Sequence, residues 1–394
     1  MTQQELHHKA SKALNDILNY WTKYTVDEAN GGFYGEIGND NSIVATADKG
    51  AVLNARILWT FSAAYNLSAN SAHLDIAHRA WDYLLNKFID PVYGGVYWSV
   101  NQYGKPVDKR KQLYAIAFAL YACSEYYKAT NNSLAKETAI NLYNVIEKYG
   151  YDNIEDGYFE AFTEDWKSPD DFRLSDKDAN EKKTMNTHLH IIEAYTNLYS
   201  CWKDELLLKQ IQKLLLRFEK SIIDPLTGHL HLFFNEHWDL KSTAISYGHD
   251  IEAAWLLLES AQAVGDMSLI ARFNSLALLI ADTTIREGIA TDGGLWNEYL
   301  PDTNELVKEK HWWPQAEALI GFVNAWQLKP DSKYWHAVIG VWRFIEQYLI
   351  DSRNGEWFWG VYEDYSLMPE YKVGFWKCPY HNARACIELM KRLA

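Results

Sequence analysis

The chain has 394 residues, 48% hydrophobic and 15% aromatic, with a formal net charge of -14. That is ample for a large buried core, and the acidic balance argues against nucleic acid and anionic membranes as partners. No apolar run reaches the roughly eighteen residues of a membrane span, so no transmembrane helix is expected.

The N-terminal stretch MTQQELHHKASKALNDILNYW reads as an amphipathic helix, with Ala10, Ala13, Leu14, Ile17, Leu18 and Trp21 on one stripe. It lacks the basic start, apolar centre and small-residue cleavage site of a signal peptide. A glycine-aromatic segment follows, GGFYGEI from Gly31, which suits a tight turn and a short strand. Next comes AVLNARILWTFSAAY from Ala51, apolar on nearly all sides and so a buried helix. The cycle then recurs. One-faced helices carry Ala77, Ala80, Trp81, Leu84, Leu85 and Phe88, and later Leu207, Ile211, Leu214, Leu215, Phe218 and Ile222. Buried helices include LYAIAFALYACSEYY from Leu113 and IEAAWLLLESA from Ile251.

The glycine segments number six: GGFYGEI, GGVYWSV, DGYFEAF, GHLHLFF, DGGLWNEY and NGEWFWGV. Their glycines, Gly31, Gly94, Gly157, Gly228, Gly293 and Gly355, lie 63, 63, 71, 65 and 62 residues apart. The repeat unit is outer helix, short hairpin, inner helix. Six such pairs can stack as an open solenoid or close into a ring. Neither end carries a polar capping repeat, and the inner helices are too apolar for a solvated concave face, so closure is expected. The expectation is an all-α (α/α)6 barrel over residues 1–394, one domain, with short β-hairpins at one end.

Polar residues are costly on buried helices, and here they cluster near the inner-helix starts. The first two units place Arg56 and Tyr114 there; the third places Asn186, His188 and His190. The fourth has His249, Asp250 and Glu252, and the fifth His311, Trp312, Trp313, Gln315 and Glu317. The sixth has Trp376, Tyr380, His381, Asn382 and Arg384. A lone helical histidine is ordinarily a core or surface residue. Histidines at one phase of successive units of a ring, beside an arginine and two carboxylates, point instead to a site at one mouth. His188 and His190, two apart on a helix, face nearly opposite sides and cannot both enter it. No HExxH pattern appears, and no metal is expected. The four cysteines are widely spaced and read as reduced thiols of a cytoplasmic protein.

Two chemistries compete. Glycoside hydrolysis needs two carboxylates flanking a bond, for which Glu252 and Glu317 are available. Proton transfer suits the histidines, which outnumber the carboxylates. Glu252 lies one turn from His249 and is expected to orient it. The 17 Trp and 26 Tyr fit core packing between helices and also stacking against sugar rings.

The motifs MNTHLH, GHDIEAAWLL, WWPQAEAL and FWKCPYHNAR resemble those of the cellobiose 2-epimerases in the N-acylglucosamine 2-epimerase superfamily, and the resemblance runs along essentially the whole chain. It implies a cofactor-free, metal-free epimerase acting on a β-1,4-linked disaccharide such as cellobiose, lactose or mannobiose. It implies catalytic roles for His190, His249 and His381, with Arg56 as the cation. It implies substrate contacts from Tyr114, Asn186, Trp313, Trp376, Glu252 and Glu317, with Trp312 and Asp250 beside them. The alternatives are aldose–ketose isomerisation, 2-epimerisation of mannobiose or N-acylglucosamine within the same superfamily, hydrolysis or lysis of glycans on the same toroid, and glycan binding without turnover. A monomer or weak homodimer is expected. The third repeat carries a longer insert around WKSPDDFRLSDKDANEKK.

Overall fold

A computed structural model describes all 394 residues. Twelve helices alternate along the chain: α1 (Gln3–Tyr24), α2 (Ala51–Ser68), α3 (Ser71–Tyr83), α4 (Leu113–Thr130), α5 (Ser133–Val145), α6 (Met185–Cys201), α7 (Glu205–Arg217), α8 (Tyr247–Val264), α9 (Met267–Thr283), α10 (Trp312–Leu328), α11 (Ser332–Phe344) and α12 (Tyr380–Arg392). The even-numbered helices pack neighbour on neighbour and α12 packs on α2, so they form a closed inner ring. Each outer helix lies against an inner one, with α1 against α12. This is the (α/α)6 toroid expected from the repeats.

Burial follows the sequence patterns. Residues 51 to 64 of α2 are all buried, whereas α7 buries only the Leu207, Ile211, Leu214, Leu215 stripe. One continuous cluster of 104 buried hydrophobic residues runs through the ring. The 22 residues Met267–Gly288 are, contrary to the expectation from sequence, long and apolar enough to span a bilayer. They form an outer helix packed on α8, burying Leu269, Phe273, Ala277, Ile280 and Ala281.

Every outer helix is capped at its N-terminus by a side chain: Thr2, Asn70, Asn132, Asp204, Asp266 or Asp331. Five of the six inner helices have no such cap; only α6 does, through Thr184. Uncapped N–H groups and the positive end of the helix dipole therefore gather at one mouth.

The six repeat glycines all have positive φ, from 77 to 89°, a conformation that side chains other than glycine rarely adopt. At Gly157 a Cβ would also meet the Trp238 ring at 2.4 Å. The hairpins differ from the expectation. Each glycine turn is closed by a single bridge, such as Ile89 to Val96; the second and fifth units add a hairpin of their own, Ser99–Val100 with Pro106–Asp108 and Glu298–Leu300 with Glu305–Val307, and five further pairings join different units. Lys49 pairs with Val100, Lys111 with Phe162, Lys183 with Phe234, Ile245 with Tyr299 and Lys310 with Val361. Ile37 to Val373 closes the circle. The segments are two or three residues long, too short to stand as isolated hairpins, and the pairings between units tie each to its neighbour.

A buried ion pair recurs at this end. An aspartate in the turn after the outer helix accepts backbone N–H groups of the turn through one oxygen and the Nζ of a lysine just before the inner helix through the other. The pairs are Asp27–Lys49 (2.8 Å), Asp90–Lys111 (2.6 Å) and Asp152–Lys183 (2.8 Å). Asp292–Lys310 (2.5 Å) and Asp351–Lys372 (2.6 Å) are variants. The fourth unit has Ile245 in place of the lysine, and Asp224 keeps only its turn contacts. Removing one partner of a buried pair typically costs about 3–5 kcal/mol. Lys111→Met is expected to destabilise the protein by about that amount, and adding Asp90→Asn, which keeps the turn acceptor, to recover part of it. Urea denaturation of the two variants checks this; a Lys111→Met protein of unchanged stability would show the pair to be idle.

Candidate active site

The polar residues at the uncapped mouth touch one another in a chain that passes through all six inner helices. Arg56 on α2 donates from Nη2 to the Tyr114 hydroxyl of α4 at 2.7 Å. Its guanidinium lies 4.1 Å from the Phe118 ring centre and 4.9 Å from that of Tyr380, with the Cys378 sulfur at 3.8 Å. No carboxylate pairs with it, although it is only 3% exposed. A buried cation held by rings and a phenol, with no counter-ion, is set to receive an anion.

His190 on α6 packs edge-on to Tyr114 (5.0 Å) and against Phe118 (4.7 Å). Its Nδ1 lies 2.9 Å from Glu193. On α12, His381 Nδ1 lies 2.7 Å from Glu317 of α10. Trp313 bridges from His381 (5.7 Å between ring centres) to His249 of α8 (4.7 Å). His249 Nδ1 lies 2.8 Å from the Ser246 hydroxyl. In all three histidines Nδ1 is occupied and Nε2 has no partner within the protein. His249 is half-buried, with its ring against that of Trp313. That burial, with His190 nearby, lowers its pKa to about 3. Burial, then Arg56 and Arg384, holds His381 well below the ordinary histidine value. Both rings are therefore neutral and able to accept a proton at pH 7.

Behind the histidines sits Arg384. Its Nη2 donates to Glu252 and to Glu317, both at 2.7 Å, and its Nη1 meets Glu193 and the Tyr380 hydroxyl. Three carboxylates thus share one guanidinium. Burial, then Glu317, raises the Glu252 pKa to about 7. For Glu193 burial works the other way from its neighbours, but Arg384 and His190 outweigh it and lower the pKa. Glu252, Glu317 and His381 present ligand atoms within 4.8 Å of one another, the one such cluster able to hold a metal. Arg384 already places a positive charge between its two carboxylates.

A model of the N-acylglucosamine 2-epimerase (GlcNAc 2-epimerase) family matches residues 32–385. The chain belongs to that family. A cellobiose 2-epimerase of Bacteroides fragilis is 48% identical over 375 residues, 95% of each chain. The structure of cellobiose 2-epimerase from Bacillus thermoamylovorans superposes with a TM-score of 0.94, at 38% identity over 99% of this chain and 100% of that one. An α-1,6-mannanase from Salegentibacter shares the toroid alone, with a TM-score of 0.66 and 16% identity over 98% and 100% of the two chains. The protein is a carbohydrate epimerase, an isomerase.

Within this family member the structure corrects three expectations. Glu252 does not hold His249; it turns toward Arg384, 4.0 Å from His381 Nδ1, and Ser246 takes the place expected for it. Asp250 points away from the mouth, with one oxygen on His229 Nδ1 (2.7 Å) and the other on the Leu230 N–H. Trp312 is 3% exposed and lies beneath Trp359 (4.7 Å), so it supports the wall and does not line it. His188 faces away from His190, accepting the Tyr158 N–H and bonding the Thr184 carbonyl. Asn186 is half-buried with its Oδ1 unpartnered. Trp376 packs on Tyr114 (6.2 Å) and Trp98 (5.8 Å). Gln315 braces the Leu295 backbone, and His311 pairs with Glu309.

Glu193, Ser246 and Trp98 carry no role in the reading of the sequence. Glu193 stands three residues after His190, the spacing of neighbours on one helix face, and that signal was present. Ser246 precedes its helix, and Trp98 lies in the hairpin segment of the second unit and meets Trp376 of the sixth, so neither has a local signature. The four cysteines are all unpaired.

His229 sits between Asp250 and Glu287 (3.0 Å at Nε2). Burial opposes its charge, but the two carboxylates outweigh it and raise its pKa. A raised histidine stabilises fully below its unfolded value of about 6.5, and that stability is lost as pH rises through the folded value. Wild-type stability is therefore expected to fall between pH 6 and 9 by more than that of His229→Gln. Equal slopes in chemical denaturation would remove this pair from the account.

Proposed function

We propose that this family member inverts C2 of the reducing-end glucose in β-1,4-linked disaccharides, turning cellobiose into glucosyl-mannose and lactose into epilactose. The observation that carries the reading is the set of three imidazoles, each tied at Nδ1 and open at Nε2, beside an uncompensated buried arginine. The similarity to the Bacteroides fragilis protein supports the substrate class.

Ring opening exposes a C1 aldehyde, which acidifies the proton on C2. One base takes that proton to give an enediolate, and an acid on the opposite face returns a proton. Glu317 accepts from His381 Nδ1, which leaves a lone pair on Nε2 and stabilises the imidazolium once the proton arrives, as the third member of a triad does. His249 faces a serine hydroxyl, which pairs with either form of the ring. It takes the O1 proton as the sugar ring opens, solvent protonating O5. The imidazolium so formed gives a proton to the opposite face of C2. His381 then passes its proton to O1 as the ring closes, and O5 releases its own to solvent. The two roles exchange in the reverse reaction. The enediolate oxygens face Arg56, with His190 as a further hydrogen-bond partner and the uncapped helix N-termini behind them. Trp313 and Trp376 supply stacking faces for the sugar rings. No metal enters the scheme, because the charge on the enediolate is met by arginine and helix ends. The four unpaired cysteines support a cytoplasmic location for the protein.

The deciding experiment is an NMR time course of cellobiose with EDTA-treated protein in D2O. A mannose reducing end carrying deuterium at C2, with the glycosidic bond intact, is expected. Free glucose would mean hydrolysis, and a deuterated ketose would mean isomerisation. His249→Ala and His381→Ala are each expected to lower kcat by about 10²–10⁴ in folded protein, and Arg56→Ala by about 10²–10³. Trp376→Ala should raise KM and spare kcat. Because both bases are held below the ordinary histidine value, kcat/KM should stay level as pH falls through about 6.5; a drop there would mean a different titrating group.

A further inference from the structure

Arg384 is buried to 1% exposure and takes no part in the proposed scheme, yet it touches more of the site than any catalytic candidate. It lies on α12, three residues beyond His381, and reaches across the ring axis. We propose that Arg384 is the positioning residue of the site: one guanidinium locks Glu193 and Glu317, and these two carboxylates fix the imidazoles of His190 and His381. The inference rests on the epimerase reading for its kinetic consequences and on geometry alone for its structural ones.

The connections are specific to a guanidinium. Glu193 uses Oε2 for His190 and Oε1 for Arg384, with the Tyr380 hydroxyl also on Oε1 at 2.5 Å. Glu317 Oε1 accepts from both His381 and Arg384, and its Oε2 accepts from Trp255 Nε1 at 3.2 Å. Glu252 fills the remaining contact. The guanidinium also lies 4.8 Å from the Trp255 ring centre and 4.2 Å from that of Tyr380, so its plane is clamped. An ammonium is a point charge on a flexible stem and cannot hold three carboxylates in one plane. Two histidines on separate helices are thereby referred to one rigid fork. Misplacement of a reacting group by about 1 Å costs of order a hundredfold in rate.

Charge makes a second demand. The groups facing Arg384 are Glu193 and His190 from α6, Glu252 and His249 from α8, Glu317 from α10, and Tyr380 and His381 from its own helix. Tyr114 and Tyr121 face the same space from α4, and Arg56 from α2. Without Arg384 the three carboxylates oppose one another with only Arg56 near. They would take up protons at higher pH and release the two Nδ1–H groups. His381 would lose a repelling cation, and its pKa would also rise. Both effects have one sign.

The test compares Arg384→Lys and Arg384→Gln with wild type in three readouts: folded fraction, kcat and KM against pH, and the tautomers of His190 and His381 by nitrogen-15 NMR. The expected result is a fall in kcat of about a hundredfold or more with KM nearly unchanged, an acid limb of kcat/KM moved to higher pH, and mixed tautomers in place of Nδ1–H. The lysine variant should recover the pH profile in part but not kcat. Should Arg384→Gln fail to fold, Glu252→Gln added to it removes one unbalanced carboxylate, and the same readouts apply with the same outcome expected. Loss of kcat only in proportion to folded fraction, with pH profile and tautomers unchanged, would overturn the proposal. Absence of epimerisation in wild type would sink the functional reading alone, since the tautomer comparison still tests the positioning.

Discussion

The ring closes, and most of the site follows from that constraint. The inner helices α2 to α12 are apolar on nearly every side because they touch two inner neighbours and an outer helix. A polar side chain near their starts turns either to a hairpin, as His188, Asp250 and Gln315 do, or to the axis. Burial of an unpaired polar group is costly, so the axial residues find partners among one another across the units. The contact chain from Arg56 through Tyr114, His190 and Glu193 to Arg384, Glu317, His381, Trp313 and His249 is what that requirement produces when the partners are mutual.

Closure also sets the electrostatics of the mouth. Outer helices end their N-termini with capping side chains; most inner ones leave theirs open. Six dipoles therefore point their positive ends at a common space that also holds Arg56. Glu252 and Glu317 stand at the same helical position as Arg56, and Glu193 about one turn further along, but all three turn to Arg384 and leave Arg56 without a carboxylate partner. In the proposed scheme a neutral sugar that becomes an enediolate gains its charge beside Arg56 and the helix N-termini, groups already in place before the reaction.

The fold was legible because its unit recurs. Six glycines of like spacing marked six turns, and all six proved to have positive φ. One-faced and all-round apolar helices separated the outer layer from the inner one. His190, His249, His381, Arg56 and Tyr114 were legible for the same reason, as polar residues in a buried phase. What spacing could not resolve was direction around the ring. Glu252 is three residues from His249, and Glu193 is three from His190, yet only the second pair meets. Arg384 engages both carboxylates; Glu193 gives it one oxygen and His190 the other, whereas His249 Nδ1 is taken by Ser246 and Glu252 turns to Arg384 alone. Asp250 was misplaced because residue 250 sits nearly a third of a turn from 249 and faces the hairpin carrying His229. The Asp–Lys pairs were visible as a lysine ahead of four inner helices, but their partners come from 18 to 31 residues earlier, beyond any local pattern.

The same geometry separates proton transfer from hydrolysis on a shared toroid. A glycosidase needs two carboxyl groups on either side of the scissile bond, one of them protonated. Glu252 and Glu317 are the carboxylates at this mouth, and burial does push Glu252 toward neutrality. Yet both accept from the same Nη2 of Arg384. They stand side by side and turn to the arginine, so no bond can lie between them. The groups that do stand apart, with ring nitrogens free and a cation at hand, are the histidines. In the proposed reading Arg384 turns both acids to itself and leaves the histidines to face the sugar.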